Sequence, residues 1–169
     1  MASTRLTPTS YIILGLLEQA GTATPYELKR VAGASLGNFW PLQHAQFYTE
    51  PERLTRAGHL TVERERGGRR RKLYSLTERG GQALAAWRAE PTGEFTELRD
   101  PGLLKLFLGT EPAPLARAQL ETHRSKLAEY EALRPDDTGK GPRGPWLALD
   151  AGIAHEREWV RFWSSLAEG

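Results

Sequence analysis

Apolar positions recur at helical spacing up to residue 58, alternate between 60 and 76, and return to helical spacing for the remainder of the chain. The first helix starts behind Thr7-Pro8, a capping hydroxyl followed by a proline whose missing N–H costs nothing in a first turn. It carries Tyr11, Ile12, Ile13, Leu14, Leu16 and Leu17 and closes at Gly21. Thr24-Pro25-Tyr26-Glu27 is a capping box that opens a second helix with Leu28 and Val31, ended near Gly33. A third helix is expected from Phe39-Trp40-Pro41 through Leu54 to a stop at Ala57-Gly58. With Phe47 inward, the 100° step per residue sets Pro51, Leu54 and Gly58 on the same side, and Gln46, Thr49, Arg53 and Arg56 opposite. Pro51 lacks the N–H that would bond the Phe47 carbonyl, at a cost of roughly 3 kcal/mol in a helix interior, which predicts a kink or break between the two.

The alternating stretch pairs Leu60 and Val62 with a second strand from about Arg71 to Leu76, across a turn at Gly67-Gly68. The hairpin tip, Arg66-Gly67-Gly68-Arg69-Arg70-Arg71-Lys72, suits a phosphate-gripping or minor-groove-entering loop, and equally a solvated edge that discourages strand pairing. Thr77-Glu78 caps a further helix carrying Leu84 and Trp87 and stopping before Pro91. Three helices, a hairpin and a helix make a winged helix-turn-helix, whose third helix enters the major groove. The outward groups of that helix fit the task, since Gln pairs with adenine, Arg with guanine or phosphate, and Thr with either; the same groups would also make an ordinary solvated face.

Pro91-Thr92-Gly93 reads as a linker between a domain at 1–90 and one at 91–169. In the second, Leu98 to Leu108 is a compact apolar segment, and Pro112 and Pro114 open a long helix. Along that helix Ala116, Leu120, His123, Leu127 and Tyr130 form a seam at spacings of four, three, four and three. A loop from Arg134 to Pro145 precedes a last helix with Leu149, Ile153, Val160 and Trp163 in line and Trp159, Phe162 and Leu166 beside them. So wide a face can serve more than one partner, which points to a homodimer through the C-terminal helices, or to an intramolecular bundle. The expected class is mostly α with a small β-hairpin (α+β): an N-terminal winged helix-turn-helix followed by an all-α dimerisation domain.

Charge sharpens this division. The formal net charge is +2, but residues 1–88 hold 13 Lys and Arg against 7 Asp and Glu, and residues 89–169 hold 10 against 14. Only the basic half is expected to meet a polyanion, double-stranded DNA in this fold. No run of 18 apolar residues and no cysteine occur, which excludes disulfides and thiolate chemistry and fits a cytoplasmic protein with no membrane partner. His44, His59, His123 and His155 lack metal-ligand spacing, and no nucleophile elbow, Walker loop or dinucleotide fingerprint is present. No cofactor, no metal and no enzymatic activity are expected.

Several stretches resemble the PadR family of bacterial transcriptional regulators. They are Tyr11-Ile12-Ile13-Leu14-Gly15-Leu16-Leu17, Pro25-Tyr26-Glu27-Leu28, Phe39-Trp40-Pro41, Gln46-Phe47-Tyr48, Arg53-Leu54 with Ala57-Gly58, and Arg70-Arg71-Lys72-Leu73-Tyr74-Ser75-Leu76-Thr77-Glu78-Arg79-Gly80. Leu103-Leu104-Lys105-Leu106-Phe107-Leu108 and the closing helices are similar to the longer C-terminal domain of one subgroup. His44 and Pro51 depart from the Ser and Leu common in the family. The resemblance implies a homodimeric winged-helix DNA-binding protein, usually a repressor, that releases its operator when a small, often aromatic, effector binds or another signal arrives. Gln46, Tyr48, Thr49 and Arg53 are the expected groove contacts, with His44, Gly68, Arg69, Arg70, Arg71 and Lys72 at the backbone or in the wing. Trp87, Trp159 and Trp163 read as core aromatics, and as the candidate residues for lining an effector cavity. The alternatives are a winged-helix protein-interaction or assembly module, and an activator of another winged-helix family.

Overall fold

The structure, a computed structural model, describes residues 5–65, 70–134, 139–140 and 142–168. The chain divides into two compact units, Met1–Glu94 and Phe95–Gly169.

The first unit contains α1 (Pro8–Ala20), β1 (Thr22–Ala23), α2 (Pro25–Ser35), α3 (Gln46–Arg56), β2 (Leu60–Arg64), β3 (Lys72–Leu76) and α4 (Glu78–Ala89). Its helices start where hydroxyls can accept free N–H groups. Thr7 caps α1 in a box closed by Ser10 rather than by an acidic residue, Thr24 and Glu27 form the box of α2, and Thr77 accepts from the Gly80 N–H at 3.0 Å. The sheet order is β1-β3-β2, all antiparallel, with Val62 opposite Tyr74 and Leu60 opposite Leu76. The two-residue β1, which the sequence pattern did not announce, places Ala23 against Tyr74. Ile13, Leu14, Leu17, Leu28, Phe47, Leu54, Leu60, Tyr74 and Leu84 are buried together beneath the sheet and helices. Gly80 is required by close approach, because a Cβ there would lie 2.2 Å from the His59 carbonyl oxygen.

Two expectations for the third helix need correction. It begins at Gln46, not Phe39: the preceding chain turns through i→i+3 bonds such as Gln46 N–H to the Gln43 carbonyl, and Phe39 and Trp40 are exposed. Pro51 causes no break, since α3 runs through it to Arg56. Only one helical bond, at the Phe47 carbonyl, loses its donor, and the proline ring is buried on the core-facing side with Phe47 and Leu54.

The second unit contains α5 (Pro101–Phe107), α6 (Pro112–Leu133) and α7 (Gly144–Ala167). Its core is small: Ala116, Leu120 and Trp163 are buried, with Leu103, Leu106, Trp159, Val160 and Phe162 packed around them. The predicted seam of α6 faces α7 of the same chain, where His123 Nδ1 lies 2.6 Å from the Glu156 carboxylate. Gly102 lets α5 approach closely, since a Cβ there would sit 3.0 Å from the Trp163 ring. Phe95, Leu98, Leu104, Phe107 and Leu108 remain exposed.

Candidate nucleic-acid interface

The two flanks of α3 have different fates. On the flank toward α1, Arg53 donates to both Glu50 carboxylate oxygens, at 2.9 and 2.6 Å, and to the buried Ser10 hydroxyl at 2.8 Å. It also reaches the Arg5 carbonyl at 3.2 Å, and Ser10 in turn donates to Glu50 at 2.7 Å. Burial pushes the Glu50 carboxyl up, but the hydrogen bonds from Arg53 and Ser10 together outweigh it and hold it below the usual carboxylate range. Gln46 is half-buried on the same flank; its carbonyl accepts from the Gln43 N–H at 2.8 Å and its amide donates to Thr9 at 3.4 Å. The helical wheel sets Gln46 and Arg53 outward with Thr49, whereas here both lie at the border, engaged with the neighbouring chain.

The exposed flank carries Tyr48, Thr49, Glu52 and Arg56. Thr49, itself exposed, donates its hydroxyl proton to the Ala45 carbonyl at 3.1 Å, so the hydroxyl oxygen remains able to accept. His44 is exposed just ahead of the helix, its ring 5.0 Å from that of Tyr48. Beside this flank lies a groove of about 750 Å³ lined by Tyr26, Arg30, Tyr48, Glu52, Arg71 and Lys72, among others.

The wing supplies the cations. Arg70 is exposed in a left-handed conformation, φ 46°, and no ion-pair partner for it is found among the described residues. Arg71 pairs through two 2.9 Å contacts with Glu65 on the facing arm of the hairpin. Lys72 donates to the Glu52 carboxylate, which lowers the Glu52 pKa and raises that of Lys72. Gly68 and Arg69, and with them the predicted Gly67-Gly68 turn, lie outside the described residues.

The three tryptophans fall into separate units. Trp87, half-exposed, stacks on Tyr11 with ring centroids 4.7 Å apart in the first. Trp159 and Trp163 stack at 6.2 Å in the second, where the Trp163 indole N–H is buried without an acceptor among the described residues.

Sequence reasoning passed over Glu52 as a partner of the wing, and over Tyr26 and Arg30 as walls of the groove. The signal for the last two was available: the Thr24 capping box fixes the start of α2, and four residues separate them, which places both on one side.

Residues 13–86 match the family described as transcriptional regulator PadR-like, and residues 98–168 match the domain described as virulence activator alpha C-term. The chain is 30% identical to the negative transcriptional regulator PadR of Bacillus subtilis, over 92% of this chain and 93% of that protein. The crystal structure of B. subtilis PadR in complex with operator DNA is similar with a TM-score of 0.84 at 27% identity, covering 94% of this chain and 96% of that one. The crystal structure of the same protein in complex with p-coumaric acid is similar with a TM-score of 0.79 at 25% identity, covering 96% and 97%. With this agreement along nearly the whole length, and a winged helix-turn-helix already evident from its elements, the chain belongs to the PadR-like family of transcriptional regulators.

Proposed function

We propose that the protein is a DNA-binding transcriptional repressor that acts as a homodimer on an inverted-repeat operator. The observation that carries this reading is the exposed stripe of α3, with Tyr48, Thr49 and Arg56, beside a wing bearing Arg70, Arg71 and Lys72. A helix of that kind offers hydroxyl and guanidinium groups to base edges, while the wing takes phosphates. The operator complex of the B. subtilis relative supports the same use of the fold. Gln46 and Arg53 join the interface from its border, and His44 at the helix start; Gly68 and Arg69, which lie outside the described residues, are further proposed contacts. The domain expected at 1–90 is the reading head and that at 91–169 the dimerisation module. The exposed Phe107, Leu108 and Leu104 support a second copy as the partner of the latter, holding two recognition helices about 34 Å apart.

Selecting bound fragments from random duplexes tests the reading. Wild type should enrich an inverted repeat, and Thr49→Ala and Arg56→Ala should each weaken the selected site by about 1–3 kcal/mol. Failure to enrich any sequence would contradict it.

A small aromatic effector is the second part of the proposal. The buried Trp163 N–H, a donor without an acceptor among the described residues, suits an oxygen of a phenol or carboxylate, and the p-coumaric acid complex of the B. subtilis relative supports that ligand class. Trp159 and Trp87 are the further candidates. Titrating p-coumaric acid into a complex with the operator should release DNA, and Trp163→Phe should weaken the release.

A further inference from the structure

Glu52 stands in the middle of the exposed stripe of α3, four residues after Tyr48 and four before Arg56. A carboxylate is a poor choice for a surface that meets a duplex carrying a negative charge about every 1.7 Å of its axis. Its partner explains part of the choice, because Glu52 accepts from Lys72 of the wing. The other wing pair, Glu65 with Arg71, joins the two arms of one hairpin and moves with it. Glu52 and Lys72 belong to different elements, and their side chains stay 48% and 38% exposed, so the pair opens at little cost.

We propose that Glu52 is a specificity-determining residue of the DNA-reading surface, holding Lys72 until a duplex offers both a phosphate to the lysine and a cytosine amino group to the carboxylate. The inference rests on the reading of α3 as the recognition helix. An ionised carboxylate can only accept, and the major-groove donors are the amino groups of cytosine and adenine. The adenine amino group lies beside the N7 acceptor, which repels a carboxylate, whereas the cytosine amino group has no acceptor from its own base beside it in the groove. On a duplex without cytosine at that point, either Lys72 stays with Glu52 and its phosphate contact is lost, or Lys72 turns to phosphate and Glu52 is left facing negative charge without a donor. The penalty therefore falls on unrelated DNA and spares the operator.

Affinity for a selected site and for an unrelated duplex, measured across salt for wild type, Glu52→Gln, Lys72→Ala and the double variant, tests this. Glu52→Gln should tighten binding to the unrelated duplex roughly ten-fold, the scale of one base-pair contact. It should leave the selected site no tighter, and should erase the cytosine preference at one position in each half-site on reselection. Lys72→Ala should cost more in the Glu52→Gln background than in wild type, because the lysine is then free for phosphate. Weakening of both duplexes by the same factor in Glu52→Gln would mean that the pair only holds the wing in place, and would overturn the inference. So would an unchanged ratio between the two duplexes. Wild type that binds no duplex would instead overturn the DNA reading, and the inference with it.

Discussion

The first unit encloses a broad hydrocarbon core and shows polar groups beside exposed aromatics such as Phe39 and Trp40, whereas the second keeps a narrow core and leaves leucine and phenylalanine side chains outside. Ile13, Leu14, Leu17, Leu28 and Leu54 are almost wholly enclosed in the former, and its exposed edge presents Arg70, Thr49 and Arg56. In the latter Trp163 is enclosed while Phe95, Phe107 and Leu108 are not. Surface chemistry of the first kind suits a charged, hydrogen-bonding partner; surface chemistry of the second suits another apolar surface.

Trp163→Ala strikes the narrow core at its centre and should cost about 3–5 kcal/mol. Hydrogen exchange should show protection falling along α6 and α7 and kept in α1 to α4; a fall across both units would break the separation. Ser10→Ala removes the hydroxyl shared by Glu50 and Arg53 and should cost about 1–3 kcal/mol, with protection falling where α3 meets α1.

Acid should reach the first unit in two steps. Burial, reinforced by the nearby Arg79 charge, holds the His59 pKa below the usual 6.5, so the unfolded chain takes up that proton first and stability falls as pH drops below 6.5. Glu50, held below its usual 4.5, contributes stability that is present above that value and disappears as pH falls through its lower folded pKa. Urea midpoints read by exchange at α1 and α3 should therefore decline from neutral pH downward, and a midpoint that rises on acidification would refute both assignments. The smallest effect on folding is expected from Leu104→Ser with Phe107→Ser, both exposed, at within about 0.5 kcal/mol per site. Sedimentation should nevertheless show monomers in place of dimers, and unchanged association would remove this surface from the dimer.

Much of the first unit was legible because its signals are local. Thr7, Thr24 and Thr77 announce helix starts within three residues, and alternation from Leu60 announces the hairpin. The start of α3 was misread because no side chain caps it and the aromatic run Phe39-Trp40 imitates a helix face. The engagement of Arg53 with Ser10, 43 residues away, and of Lys72 with Glu52, 20 away, is set by tertiary packing and has no local pattern. The seam of α6 was visible, but periodicity does not say whether the facing helix belongs to the same chain.

If α3 and the wing meet a duplex together, the salt dependence of binding registers it most directly. For Arg70→Ala with Arg71→Ala, the slope of log affinity against log salt on a selected site should flatten by about 0.9 for each phosphate that the wing no longer neutralises. A slope identical to wild type would contradict it.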